Sequence, residues 1–528
     1  MTTYEPTTAF EGLMMRTPLL VRGIAHRAEQ LFGNREVVTV TSNGVERSTL
    51  GAVAERARRL ASALRDLGIR PGDRVATFGW NSQRHLELYL AVPSMGAVLH
   101  TLNIRLFDED LDYIVSHAED RVIVLDASLA ERMPHFEGVE HEVLMPDADA
   151  ERDGAIAYEE LLASGDPGFE FPDIDENSAA AMCYTSGTTG RPKGVVYSHR
   201  STVLHSMITN QADGAGLRER DTVLPIVPMF HANAWGLAYA GTMAGSKLVL
   251  PGPKMDPASL AQMITDEKVT ISGAVPTIWQ GIAQLDPKPD LSSLQRIMCG
   301  GSAVPEALIR LYDEKFGVEI IQAWGMTETS PLASISRLPS TGPERGSDEA
   351  YALRASQGRV VPGVEFRIDE ESGGELQVRG STIASSYYND PAGADKFTED
   401  GWLRTGDVAE LRDGAFIKLV DRTKDLVKSG GEWISSVELE NAIMAHPDVL
   451  EAAVIAMPDE RWSERPCACV VTQEGSQLDA DGLKEFLGSR VAKWWLPDRV
   501  AFIEEVPKTS VGKFDKKVLR AQLADGSL

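Results

Sequence analysis

Across residues 52–67 apolar positions recur every three to four residues, the spacing that gives an α-helix one apolar face. Between stretches of this kind stand short apolar runs at 75–78 and 122–125, too short for helices and flanked by polar residues, which predicts buried strands. Up to about residue 180 this alternation predicts α/β layers. From Gly358 to Gly380 the period drops to two, in Val364-Glu-Phe-Arg-Ile and Glu375-Leu-Gln-Val-Arg, with glycine turns between them. That pattern predicts a small sheet or barrel. A strand at 415–420 then runs into the charged Asp421-Arg-Thr-Lys-Asp-Leu426 and the polar Ser429-Gly-Gly-Glu432, the composition of a segment between domains. Beyond it the pattern predicts a helix at 436–445, strands at 452–456 and 468–471, a helix at 479–490 and a final strand near 501–506. This forms a separate α+β unit of about 100 residues.

The most apolar helical stretch, 88–99, contains Pro93 and falls short of the roughly 20 residues needed to span a bilayer. It therefore reads as a buried helix, and no stable membrane insertion is expected. The first residues lack the basic start and apolar run of a secretory signal. The four cysteines, Cys183, Cys299, Cys467 and Cys469, form no C-x-x-C pair, and the alternation of Cys467 and Cys469 suits one face of a strand. Core positions in a reducing cytoplasm are expected. With 528 residues, 43% hydrophobic and 25% charged, the chain can bury a substantial core. A formal charge of −26 repels a polyphosphate backbone, so nucleic acid is not an expected partner.

The strongest chemical signal is Tyr184-Thr-Ser-Gly-Thr-Thr-Gly-Arg-Pro-Lys-Gly194, which follows the apolar strand candidate 178–183. Glycines and aliphatic hydroxyls let backbone N–H groups and side chains close around phosphate oxygens, and Lys193 adds a point charge. A Walker A loop needs Gly-Lys-Ser/Thr in direct succession; here Arg191-Pro192 separates Gly190 from Lys193, so this is a different phosphate loop.

Six further segments follow: Pro228-Met-Phe-His-Ala-Asn-Ala-Trp235, Gly300-Gly-Ser-Ala-Val-Pro305, Gln322-Ala-Trp-Gly-Met-Thr-Glu-Thr-Ser-Pro331, Trp402-Leu-Arg-Thr-Gly-Asp407, Asp421-Arg-Thr-Lys-Asp-Leu426 and Pro507-Lys-Thr-Ser-Val-Gly-Lys-Phe-Asp-Lys516. With the loop, their order and spacing resemble the adenylate-forming superfamily of acyl-CoA synthetases, luciferases and peptide-synthetase adenylation domains over nearly the whole chain. Trp324-Gly-Met-Thr-Glu328, Lys428-Ser-Gly-Gly-Glu-Trp433 and Pro228-Met-Phe-His231 look most like bacterial medium- and long-chain fatty acid CoA ligases.

The resemblance implies a large N-terminal domain of layered α/β sheets (1–420) with a small β-barrel-like part at about 358–420. A hinge linker (421–426) would join it to a small mobile α+β C-terminal domain (427–528). It implies ATP, Mg2+ and coenzyme A, and a reaction in which a carboxylate attacks the α-phosphate before CoA takes the acyl group from AMP. Thr185, Ser186, Gly187, Thr188, Thr189, Gly190 and Lys193 would hold the phosphates, and Thr185 with Glu328 the Mg2+. Gly301, Ser302 and Ala303 would lie against adenine, opposite Gln322, Ala323 and Trp324, with Gly325 and Met326 beside them. Thr327 would bind the α-phosphate, Asp407 the ribose, and Arg422 the nucleotide. Lys513 would be the adenylation lysine, with Lys516 and Lys517 solvated. His231, Ala232, Trp235 and Gly325 would line the acyl pocket. Lys424 would be the hinge residue, Lys428, Gly430, Gly431 and Glu432 would border the CoA tunnel, and Trp433 would either gate it or sit in the core. Expected too are a homodimer, a cytoplasmic location and a medium- to long-chain fatty acid substrate. A short or functionalised acid (methylthio-, aryl- or branched propionate), or transfer to an amine or carrier thiol, stays open.

Overall fold

The computed structural model describes residues 12–185, 191–372, 374–412, 415–422, 424–429, 432–459, 461–508 and 514–528. Two largely parallel sheets dominate. In the seven-stranded sheet the strands Asp120–Asp126, Arg74–Phe78, Val98–Thr101 and Ala179–Tyr184 lie side by side in parallel, closed at one edge by antiparallel Gly194–Ser198. In the nine-stranded sheet Thr222–Pro225, Ile271–Ala274, Arg296–Gly300 and Glu319–Gly325 run parallel, and Leu332–Ile335 returns antiparallel beside the last of them.

One apolar core joins both sheets. It takes Val75, Leu99 and Ala181 from one, Val37, Leu248 and Ile271 from the other, and inner residues of the helices Val21–Phe32, Gln83–Ser94, His199–Thr209 and Leu237–Ala244. Further clusters, around Trp279 and Tyr312 and around Phe78 and Ile114, complete the cover. Strands covered on both faces are apolar throughout, which is why they stand out as unbroken runs. Gln83–Ser94 is buried along nearly its whole length. Its Glu87 tolerates this because Arg56 and the Tyr158 hydroxyl each donate to it at 2.6 Å. The helix ends at Ser94; residues 98–99, read with it as one helix, belong instead to the strand Val98–Thr101, which fills the gap between Arg74–Phe78 and Ala179–Tyr184.

Val364–Asp369, Glu375–Gly380, Leu403–Arg412 and Phe416–Arg422 form the four-stranded antiparallel sheet of the barrel-like part. The C-terminal unit is a sheet built on Val449–Asp459 and Ser463–Thr472, with the helices Ser436–Met444, Ala480–Leu487 and Lys516–Asp525. All four cysteines are free and buried. Lys516, read from its polar surroundings as solvated, is instead held at 2.6 Å from both Glu440 and the Ser436 hydroxyl, because its helix docks on the strand Val449–Asp459. Asp421, in the expected hinge, is buried and accepts the Ser436 N–H at 2.5 Å. Among the described residues no helix is long and apolar enough to cross a membrane.

Candidate active site

A cavity of about 360 Å3 opens where the two large sheets meet the four-stranded one. Its size is that of a small-molecule site. Thr185 enters from the end of Ala179–Tyr184, and Lys193 from the residue before the antiparallel return Gly194–Ser198. The stems of the loop are stitched together: Thr185 N–H donates to the Lys193 carbonyl at 2.9 Å, and Lys193 N–H to Thr185 Oγ1 at 3.1 Å. Ser186, Gly187, Thr188, Thr189 and Gly190, between them, lie outside the described residues. The Lys193 ammonium stands 3.3 Å from Asp390 and 4.8 Å from the centre of the Tyr387 ring.

The opposite wall comes from the parallel neighbours Arg296–Gly300 and Glu319–Gly325, whose ends bring Gly300, Gly301, Ala323, Trp324 and Gly325 to the cavity. The next turn, Thr327–Thr329, carries Thr327 and Glu328 into it. That turn is anchored three times: Tyr197 OH donates to the Thr327 carbonyl at 2.7 Å, Ala384 N–H to the Glu328 carbonyl at 2.8 Å, and Met326 N–H to Thr329 Oγ1 at 2.9 Å. Glu328 Oε1 accepts the Tyr387 hydroxyl at 2.5 Å. Burial first, and Glu328 second, push the Tyr387 phenol well above its ordinary value, so it stays a donor.

Asp407 and Arg422 face each other across an antiparallel pair, and that register brings Arg422 Nε to 2.8 Å from Asp407 Oδ1. Asp407 Oδ2 accepts Trp324 Nε1–H at 3.0 Å. Each carboxylate oxygen keeps a further lone pair, which suits acceptance from a pair of hydroxyls. Asp407 raises the Arg422 pKa, and burial lowers that of Lys424, which also lines the cavity.

The apolar lining of the cavity includes Trp235, Ala232, Met298, Leu237 and Leu332, and His231 also lines it. Here the chain makes a left-handed turn: φ is 40° at Ala232, 50° at Asn233, 54° at Ala234, 53° at Trp235 and 76° at Gly236. A Cβ on Gly236 would meet the His205 ring at 2.5 Å, so only glycine fits that last position. His205 is buried, with its pKa pushed down to about 4 by burial, and its Nε2 accepts the Leu332 N–H at 3.2 Å.

Thr185, Lys193, His231, Ala232, Trp235, Gly301, Ala323, Trp324, Gly325, Met326, Thr327, Glu328, Arg422 and Lys424 thus share one cavity, with Asp407 tied to its wall. Ser302 and Ala303 are not among its lining residues, and Gln322 is buried, its Oε1 accepting the Val304 N–H at 3.2 Å. Lys428 and Trp433 sit opposite each other on the hairpin Val427–Ser429/Glu432–Ile434; Trp433 is 51% exposed and does not reach the cavity. Gly430, Gly431, Lys513 and the Glu432 side chain lie outside the described residues. Tyr387, Lys396 and Arg404 also line the cavity; Arg404 falls inside the segment 402–407 with no role assigned to it, and no motif holds Tyr387 or Lys396: Tyr387 stands in the polar stretch Ser385-Ser-Tyr-Tyr-Asn-Asp390, which carries no periodicity.

No group of three or more His, Cys, Asp or Glu among the described residues could hold a metal ion by itself. Glu328 and the Thr185 hydroxyl are hard oxygen donors on one cavity, a set that fits an ion carried in largely by phosphate and water.

Residues 25–388 match the model of the AMP-binding enzyme family, and residues 438–513 that of the AMP-binding enzyme C-terminal domain. The chain is 45% identical to a medium-chain-fatty-acid–CoA ligase of Ectopseudomonas oleovorans, over 97% of its own length and 98% of the relative's. It is equally 45% identical, over 97% and 99%, to a 3-methylmercaptopropionyl-CoA ligase of Ruegeria pomeroyi. A crystal structure of an anthranilate CoA ligase in complex with anthranoyl-AMP superimposes with a TM-score of 0.85 at 25% identity, covering 97% of this chain and 99% of that one.

Proposed function

From the premise that this chain belongs to the AMP-binding enzyme family, we propose that it is an AMP-forming acyl-CoA ligase acting on medium- to long-chain fatty acids. The observation that carries the reading is one cavity with two unlike kinds of lining. Thr185, Lys193, Glu328 and Arg422, paired with Asp407, supply charge and hydroxyl; Trp235, Met298 and Leu332 supply apolar surface.

In the first half-reaction a carboxylate oxygen attacks the α-phosphorus of ATP; the P–O bond to pyrophosphate breaks and acyl-AMP remains. In the second, the CoA thiolate attacks the acyl carbon, AMP leaves, and the thiol proton goes to solvent. Charge grows on phosphate oxygens in the first step, so the work falls to placed donors and cations. Lys193 holds the β- and γ-phosphates with the loop 186–190, and the Thr327 hydroxyl meets the α-phosphate. Asp407 accepts from the ribose hydroxyls, with Arg422 screening its charge from the phosphates. Gly301 and, opposite it, Ala323 and Trp324 flank the adenine. Glu328 and the Thr185 hydroxyl would hold Mg2+, which would supply charge neutralisation for the leaving pyrophosphate. Lys513 supplies the mobile cation of adenylation. Rotation at Lys424 then withdraws it and presents Lys428 to Glu432 to the pantetheine arm. Division of the chain at the hinge 421–426, a cytoplasmic location and a homodimer complete this reading.

The similarity to a 3-methylmercaptopropionyl-CoA ligase supports a second reading, the same chemistry on a short sulfur-bearing acid. Pyrophosphate release across acids from propionate to palmitate, with aryl and methylthio acids, measured with and without CoA, decides between them. CoA-dependent turnover peaking at about six to sixteen carbons is the expected result. A peak at methylthiopropionate would move the substrate, and release indifferent to CoA would overturn the thioester step.

A further inference from the structure

One short segment touches both charged walls of the phosphate end. Its Ala384 N–H donates to the Glu328 carbonyl and its Tyr388 N–H to the Gly194 carbonyl, both at 2.8 Å. Residues 384–388 therefore bridge the acid turn and the lysine stem. Between those two anchors stands Tyr387, buried to 8% exposure. Its hydroxyl donates to Glu328 Oε1 at 2.5 Å, while the Lys193 ammonium lies 4.8 Å from its ring centre. Phe397 packs against that ring at 5.6 Å, fixing its tilt. A few residues on, Asp390 pairs with Lys193 at 3.3 Å and caps the Gly393 N–H at 3.2 Å. A Cβ on Gly393 would meet Tyr387 Cδ2 at 2.6 Å and Lys193 Nζ at 2.9 Å, so the missing side chain at 393 is what lets ring and ammonium meet.

We propose that Tyr387 is a positioning residue that holds the Glu328 carboxylate and the Lys193 ammonium at a fixed separation, facing each other across the place of the polyphosphate. This rests on the reading of Glu328 and Lys193 given above. By occupying Oε1, the phenol leaves Oε2, which has no partner among the described residues, as the oxygen free for the cavity. Its ring supplies an electron-rich face that holds the ammonium without neutralising it, and Asp390 sets the direction. Without the hydroxyl, Glu328 keeps its charge but loses its rotamer; without the ring, Lys193 loses its resting place as well.

The test is calorimetric binding of α,β-methylene-ATP, whose P–CH2–P bridge cannot break to release pyrophosphate, as a function of Mg2+ concentration. Wild type is compared with Tyr387→Phe, Tyr387→Leu, Glu328→Gln and the double variant Glu328→Gln/Tyr387→Phe, and thermal melting of each is recorded. Tyr387→Phe is expected to raise the Mg2+ concentration for half-maximal tight binding about tenfold, the scale of one hydrogen bond to a charged group. Affinity measured without Mg2+ stays as in wild type. Added to Glu328→Gln, the same change does nothing further, because the hydroxyl acts only through that carboxylate. Tyr387→Leu is expected to weaken metal-free binding too, through Lys193. A purely structural tyrosine would instead lower the melting temperature and leave the Mg2+ dependence alone, which overturns the proposal. If Glu328→Gln itself keeps wild-type Mg2+ dependence, the underlying reading of Glu328 fails. If Glu328→Gln loses it but Tyr387→Phe does not, that reading stands and the positioning role falls. Should Tyr387→Leu fail to fold, Tyr387→Phe, which keeps the ring, decides alone.

Discussion

Acid should unfold this protein through its buried histidines, and His205 allows the effect to be isolated. His85, His199 and His205 are each pushed by burial from 6.5 to about 4. Their hydrogen bonds agree with neutral rings: His205 Nε2 accepts from Leu332 N–H, and His199 Nδ1 accepts from Val21 N–H, both at 3.2 Å. The folded pKa is the lower one, so between about 4 and 6.5 the unfolded chain binds protons that the folded chain refuses. Stability from this source is full above the unfolded pKa, falls as pH drops through the window, and levels off below about 4. With one pKa unit equal to 1.36 kcal/mol, each histidine loses about 2 kcal/mol between pH 7 and pH 5. Three lose about 6 kcal/mol, comparable with the whole stability of an ordinary domain. Replacing His205 by Gln keeps an acceptor for the Leu332 N–H and removes the titration. Urea midpoints at pH 7 and pH 5 should show the variant losing about 2 kcal/mol less than wild type over that interval. An identical pH dependence in the two proteins would refute the claim that His205 is held neutral.

Two further outcomes can be checked directly. Asp407→Asn removes the charge that faces Arg422 Nε at 2.8 Å and one of the two acceptors proposed for ribose, so AMP binding by calorimetry should weaken about ten- to a hundredfold; unchanged affinity would remove Asp407 from the site. Glu440→Ala leaves the Lys516 ammonium buried without its 2.6 Å partner and should cost about 3–5 kcal/mol. The double replacement Glu440→Met/Lys516→Met should restore most of that in urea unfolding, because no uncompensated charge remains.

What was legible in the sequence follows from what is local. The strands Arg74–Phe78 and Asp120–Asp126 read correctly because both of their faces are covered, so the apolar run is continuous. The period-two strands Val364–Asp369 and Glu375–Gly380 read correctly because a two-residue repeat needs no distant partner to be seen. Illegible features depend on what a segment meets after folding. Residues 98–99 continue an apolar helical stretch in sequence, and only the gap in the sheet makes them part of a strand. Lys516 sits among polar neighbours, and its burial is decided by Glu440 on a different helix. Tyr387 is one of two adjacent tyrosines in a polar loop, and nothing along the chain distinguishes the one whose hydroxyl finds Glu328. The loop 184–194 and the segments that follow it stand out because each is a run of consecutive residues, whereas the shell around them is assembled from the rest of the chain.

The left-handed turn at 232–236 carries this contrast furthest. Ala232, Asn233, Ala234 and Trp235 all occupy the left-handed region, where each residue with a Cβ costs roughly 1–2 kcal/mol. Such a turn cannot persist on local preference, so its surroundings must hold it: Gly236 packed against the His205 ring, the Ala234 N–H bonded to the His231 carbonyl at 3.1 Å, and Asn233 Oδ1 3.6 Å from Cys183 Sγ. Two of those props lie in the layer beneath the cavity, and neither His205 nor Cys183 lines it. The shape of this wall is therefore set in part by residues that do not line the cavity. If this wall receives the acyl chain as proposed, two chains with the same His231, Ala232 and Trp235 can differ in chain-length preference through a change at His205 or Cys183. This is a physical reason why the adenylating chemistry is plain in the motifs while the acid it prefers is not.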